Sequence, residues 1–310
     1  MVTRRQALIG VAAAGAAALA RGATDAFASA PLYKEQPVTP VNFAMPSGAC
    51  DSHFHIYGDS KRFPFVNPSG SNPEPASVEE ARAVWRFLHI ERCVIIQPSA
   101  YGTDNSNILN AMGQIGSSAR GIAVIDAKTP DAALDQMDRA GIRGVRLTLR
   151  DVAVARPLFQ EAAQRLTGRK WHIQLQTQLS VVEHLKDDIM ASPVPVSIDH
   201  FGGAVASLGL HQPGFDVLVD LVRTGKAYVK VTRVHNVSMM APDYVDAAPF
   251  AKALIAANPQ RILWGTDWPH VGGPKGYDDG RILNQLAVWA PDPAQRKTIC
   301  VDNPARLYQF

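Results

Sequence analysis

From about residue 49 onward, short runs of β-branched and apolar residues alternate with longer stretches whose apolar residues recur every three or four positions. The short runs fall at about 49–56, then at "RCVIIQPS" (92–99), "RGIAVIDA" (120–127), "GVRLTLR" (144–150), "HIQLQTQ" (172–178), "VPVSIDHFG" (194–202), "AYVKVTRV" (227–234) and "RILWGTDWP" (261–269). Runs of this length and composition predict strands. Between them, "SVEEARAVWRFL" opens on Ser77 with Glu80 three residues on, which is a capping box. "PDAALDQMDRAG" begins at Pro130 and stops at Gly141, the punctuation expected of a helix. "RPLFQEAAQRL", "LSVVEHLKDDIM", "GFDVLVDLVRTG" and "YVDAAPFAKALIAANP" carry helical spacing.

Strands alternating with helices imply βαβ units and a parallel sheet. Eight such units predict a single closed (β/α)8 TIM barrel over 49–310. A doubly wound open sheet is the competing arrangement, but it calls for a glycine-rich phosphate loop after the first strand. "HFHIYGDSKRF" is not one.

Composition narrows the function classes. The 310 residues are 46% hydrophobic and 19% charged, enough apolar material for a large core. A formal net charge of +3, without a basic run, does not point to nucleic acid. The N-terminus reads differently from the rest. "TRRQALIG" pairs Arg4 with Arg5, "VAAAGAAALA" follows, and "AFASA" ends an A-x-A cleavage pattern. The apolar stretch is too short and too rich in Ala and Gly to span a bilayer stably. Residues 1–28 are therefore expected to be a signal of the twin-arginine type, with periplasmic export and no membrane partner. Residues 29–48 would be an N-terminal extension. Cys50, Cys93 and Cys300 are odd in number and far apart, and are expected to be buried free thiols rather than a disulfide framework.

In a barrel, chemistry belongs at the C-terminal ends of the strands. Polar groups gather there: His53 and His55 after strand 1, Ser99 after strand 2, Arg146 in strand 4, Gln176 and Gln178 at the end of strand 5, His200 at the end of strand 6 and Asp267 at the end of strand 8. Residues i and i+2 of a strand share a face, so His53 and His55 should point inward together. Read from the residues alone, they could be a metal clamp, a metal-free hydrogen-bonding pair, or two strand residues on one face by chance.

"DSHFHIYG" (51–58), "IDHFGG" (198–203), "WGTDWPH" (264–270) and the closing "VDNPARLY" resemble the amidohydrolase superfamily. Together with "KRFPFV" (61–66) and "QPSAYGTDN" (97–105), the likeness is greatest to the 2-pyrone-4,6-dicarboxylate lactonase branch, and it runs from about residue 49 to the C-terminus. The resemblance implies catalytic roles for Asp267, His53, His55 and His200. Asp267 would take a proton from water while the histidines polarise a lactone carbonyl. In metal-dependent relatives the HxH pair and the strand-8 Asp bind a divalent cation, so His53, His55 and Asp267 are candidate ligands. Strand 4 has no carboxylate or lysine at its mouth and strand 5 offers only glutamines, poor zinc ligands. Zinc is accordingly allowed but not required. Burial under Trp264 and Trp268 is expected to raise the pKa of Asp267 and suit it as a general base.

The same resemblance sketches the substrate. Arg146 and Ser99 match substrate-contacting positions, and a guanidinium fork suits a carboxylate or sulfonate. Gln176 replaces a tyrosine, Gly203 and Asn236 stand where the lactonase has arginines, and Arg150 lies near but not on another. His270 completes the candidate contacts. Fewer arginines imply fewer carboxylates, so the expected partner is a small anionic lactone of muconolactone or pyrone-carboxylate type. The competing readings are a metal-dependent decarboxylase of the same superfamily, a sugar-acid lactone hydrolase or isomerase, and a non-catalytic periplasmic binding protein. The decarboxylase would want a strand-5 histidine, and His172 sits at the wrong end of that strand.

Overall fold

Each of the eight apolar runs folds as a strand in the computed structural model, which describes residues 39–66 and 73–310. The strands are β1 (Cys50–Phe54), β2 (Arg92–Ile96), β3 (Ala119–Ala123), β4 (Ile142–Thr148), β5 (His172–Gln176), β6 (Val196–Ile198), β7 (Ala227–Lys230) and β8 (Ile262–Leu263). They form one parallel sheet in sequence order. Main-chain bonds from the segment after β8 close the cylinder: Ser52 N donates to Trp264 O at 3.0 Å, His55 N to Trp268 O at 2.8 Å and Asp267 N to His53 O at 2.7 Å. This is the (β/α)8 barrel. The twin-arginine segment lies outside the described residues. Residues 39–48 run alongside the helix Asp279–Trp289, where Asn42 N donates to Asn284 Oδ1 at 2.8 Å.

The helix Val78–Leu88 starts at Ser77 with both halves of the capping box formed. "LSVVEHLKDDIM" breaks into two short helices, Leu179–His184 and Lys186–Ala191. Three regions were not expected to be helical: Ser106–Ile115, Asp279–Trp289 and the closing pair Pro293–Lys297 and Asn303–Tyr308. At the start of Ser106–Ile115, Asn105 makes no capping hydrogen bond because it uses its side chain across the chain, donating to Val124 O at 2.8 Å and accepting from Val124 N at 3.0 Å.

The barrel interior is layered. Cys50, Val94, Ile96, Ile122, Tyr228, Leu263 and Tyr308 make an apolar floor, with Tyr308 arriving from the last helix. His172 lies at the floor, its ring centroid 5.4 Å from that of Tyr308. Above it Gln174 and Lys230 form a buried polar layer, and Gln176 and Thr232 reach the mouth. Alternation along β5 and β7 places these residues, two positions per layer. β1 does not keep a single alternation. Its register against β2 shifts between Asp51 and Phe54. Asp51 faces the surrounding helix and accepts from Trp85 Nε1 at 3.3 Å, whereas His53 turns inward.

All three cysteines are buried and unpaired. No helix among the described residues is long and apolar enough to cross a membrane.

Candidate active site

The seam between β1 and β8 fixes the site. Asp51 accepts from Thr266 N at 3.0 Å, from Thr266 Oγ1 at 2.6 Å and from His53 N at 3.2 Å, tying the two strand ends together. The approach needs Gly265: a Cβ there would stand 2.6 Å from His53 N. His200, Arg233 and Asp267 each adopt a left-handed backbone, with φ of 53°, 54° and 62°. Non-glycine residues are held this way only where the surroundings over-determine them, a condition common at functional sites.

Four of the candidate residues meet at one carboxylate oxygen. Oδ1 of Asp267 lies 3.3 Å from Nε2 of His53, 3.5 Å from Nε2 of His55 and 3.9 Å from Nε2 of His200. Its other oxygen, Oδ2, accepts from Arg233 Nη1 at 3.0 Å. The remaining ring nitrogens are anchored. His55 Nδ1 is 2.9 Å from Ile96 O, which can only accept, so that nitrogen carries the hydrogen. His200 Nδ1 is 2.7 Å from Thr232 Oγ1. His53 Nδ1 faces Asp199 Oδ1 and Lys230 Nζ, each at 3.4 Å.

Asp267 does not have the raised pKa expected of a buried base. Burial does oppose its charge, but the adjoining His55, His200, His53 and Arg233 outweigh it and hold the carboxyl well below the usual range. Burial pushes His53 well down and His200 to about 4, so both rings are neutral near pH 7.

The substrate-contact candidates scatter more widely. Arg146 is buried in the mouth with Nε 3.5 Å from Asp199 Oδ2, and among the described residues its two Nη groups have no hydrogen-bond partner. Gln176 and Asn236 line a cleft beside His200, together with Arg150 and His235. Ser99 is exposed in the turn Ser99–Tyr101. His270 is turned away from the cluster onto Asp279, with Nε2 3.0 Å from Oδ1, and packs on Tyr277. Sequence reading passed over Gln174, Asp199, Lys230, Thr232 and Arg233. The period-two alternation of β5 and β7 carried the signal for Gln174, Lys230 and Thr232. Nothing in the sequence marked Arg233, which depends on its left-handed turn. His172 is at the floor, so strand 5 supplies no histidine to the mouth.

The amidohydrolase family model matches residues 50–310. A 4-sulfomuconolactone hydrolase from Hydrogenophaga intermedia is 34% identical over 287 residues, covering 89% of this chain and 94% of that protein. A 2-pyrone-4,6-dicarboxylate hydrolase from Comamonas testosteroni is 31% identical, covering 86% of this chain and 92% of that protein. A solved apo structure from Agrobacterium tumefaciens superposes with a TM-score of 0.77 at 26% identity, covering 88% of this chain and 99% of its own. The chain belongs to the amidohydrolase family.

Proposed function

We propose that this amidohydrolase-family chain hydrolyses the ester bond of a small lactone carrying a carboxylate or sulfonate. The observation that carries the reading is the convergence of His53, His55 and His200 on Oδ1 of Asp267, with Oδ2 already held by Arg233. The carboxylate therefore presents one oxygen to a water molecule and keeps a fixed orientation. Relatives at 31% and 34% identity that hydrolyse a pyrone dicarboxylate and a sulfomuconolactone support the substrate class.

The chemistry follows from the residue types. The lactone carbonyl oxygen is polarised by N–H groups of His53 and His200, which are neutral and so can donate without a charge already in place. As water adds to the carbonyl carbon, Asp267 takes its proton. Negative charge then grows on the carbonyl oxygen, where each well-placed donor is worth about 3 kcal/mol. When the carbonyl re-forms, the ring C–O bond breaks and Asp267 returns the proton to the leaving oxygen. His55, anchored through Nδ1 on Ile96 O, stands with Nε2 3.5 Å from Oδ1 of Asp267. Arg146 grips the substrate anion through the Nη groups of its guanidinium fork.

The donors also suit a divalent cation. His53, His200 and Asp267 each offer a ligand atom, all within 4.8 Å of one another, a trio with His200 in the place expected for His55. His55 has the backbone-anchored Nδ1–H typical of a ligating histidine and stands beside them. Zinc held by these residues would supply Lewis-acid polarisation of the carbonyl.

The reading is tested by offering the purified protein a panel of five- and six-membered lactones, neutral, carboxylated and sulfonated, and following acid release. Hydrolysis confined to the anionic members is expected. Turnover of none of them, or of neutral members alone, overturns it.

A further inference from the structure

Beneath the histidines the barrel holds a cation that the hydrolytic steps do not use. Lys230 is fully buried, and an ammonium group is placed there only if its charge and its hydrogens are both satisfied. It has three hydrogens and three acceptors in reach: Gln174 Oε1 at 2.7 Å, Ser52 O at 2.9 Å and His53 Nδ1 at 3.4 Å. Asp199 balances the charge from 3.8 Å. That carboxylate is occupied on its other oxygen, which accepts from Gln174 Nε2 at 3.0 Å and lies 3.5 Å from Arg146 Nε.

His53 Nδ1 therefore sits between two groups with opposite demands. Lys230 can only donate to it, and Asp199 Oδ1 can only accept from it. A neutral imidazole has one N–H, so the outcome at Nδ1 fixes what Nε2 shows to Asp267 3.3 Å away. If Nδ1 accepts, Nε2 carries the hydrogen and is a donor. If Nδ1 donates to Asp199, Nε2 presents a lone pair and is a metal ligand, since a ligating histidine must offer an unprotonated nitrogen. Gln174 and Ser52 pin the ammonium group in place, and among the described residues its third hydrogen has no acceptor nearer than His53 Nδ1.

We propose that Lys230 is a positioning residue that fixes His53 with its hydrogen on Nε2, and so holds the site in its hydrogen-bond-donating form and against loading by a divalent cation. The inference rests on the lactonase reading for its purpose, but it concerns a tautomer and a metal affinity that are measurable without substrate. Replacing Lys230 with an apolar residue leaves Asp199 as the only partner of Nδ1. The proton then moves to Nδ1, and Nε2 joins His200 and Asp267 as a third ligand with a carboxylate behind it.

The first test is nitrogen-15 NMR of histidine-labelled full-length protein kept in chelator, with His53 assigned by the signals that His53→Gln removes. The Nε2–H pattern is expected at neutral pH, and the Nδ1–H pattern overturns the proposal. The second is calorimetric titration of zinc into chelator-treated protein. Lys230→Met should bind zinc about tenfold or more tighter than the unaltered chain, the scale on which groups behind a ligand alter metal affinity. Lys230→Arg, which keeps the charge and donors, should not. Equal or weaker zinc binding by a cooperatively folded Lys230→Met overturns the proposal. Should that variant fail to fold, the NMR measurement on the unaltered chain decides. Absence of lactone turnover would remove the proposed function and leave both readouts intact.

Discussion

Arg233 donates from Nη1 to Oδ2 of Asp267 across 3.0 Å, and both residues hold left-handed backbone at the ends of neighbouring strands. The pair leaves only Oδ1 of the carboxylate facing the histidines. It also sets a guanidinium group against Asp267. Removing the guanidinium lets burial raise the carboxyl pKa. Arg233→Met should therefore move the acid limb of the kcat/KM profile upward by about one pH unit or more, the scale of losing an adjacent opposite charge. A pH–rate profile checks this, and an unmoved limb counts against the assigned role of Arg233.

Arg146 reaches the mouth with its Nε near Asp199 and, among the described residues, no hydrogen-bond partner for its Nη groups. Arg146→Met should act chiefly on KM, with a loss of roughly 2–4 kcal/mol in kcat/KM toward an anionic lactone. Arg146→Lys should recover part of it, because an ammonium group lacks the planar fork. Steady-state kinetics on an anionic lactone and a neutral analogue separate the cases. Equal losses on both would deny the anion contact.

His172 tests the floor independently of catalysis. Burial lowers its pKa from 6.5 to about 3, and its Nδ1 lies 2.8 Å from Arg143 O, which fixes the hydrogen there. Below pH 6.5 the unfolded chain takes up a proton that the folded chain refuses. Stability should thus fall as the pH drops from about 6.5 toward 3, by about 1.4 kcal/mol per pH unit from this residue. His172→Asn, whose side-chain amide can make the same donation, should flatten that slope. Urea melts at several pH values read it directly.

The paired Arg4 and Arg5 of the N-terminal segment carry the export reading. Replacing both with Lys should retain the protein in the cytoplasm, whereas the unaltered chain should appear in the periplasm shortened by about 28 residues, at the A-x-A pattern. Fractionation and N-terminal sequencing test it. Unchanged export of the double variant would remove the twin-arginine assignment.

Much of the architecture is legible in the sequence because several strands, such as β2 with RCVII, are short β-branched runs and several helices carry their own start signal, as at Ser77 and Glu80. Ser106–Ile115 is not, because Asn105 before it spends its side chain on Val124 and makes no cap bond. At the site, the HxH pair, His200 and Asp267 stand out because they end strands in a barrel. Simple alternation would have put Asp51 on the same face as His53, yet the register shift in β1 sends Asp51 to the helices instead. The pairing of Arg233 with Asp267 depends on two left-handed residues, and no spacing rule announces it. The expected rise in the pKa of Asp267 is reversed because His55, His200, His53 and Arg233 all crowd that one carboxylate, a convergence of four strand ends that no local pattern shows.

The most direct measurement is single-turnover hydrolysis of an anionic lactone by Asp267→Asn, alongside the Kd of that lactone for the variant. Asparagine keeps the shape of the carboxylate and cannot take the proton from water. The rate should fall by about a hundredfold to ten-thousandfold, the contribution of a general base, with the Kd nearly unchanged. A variant that still turns the lactone over near the original rate would contradict the account.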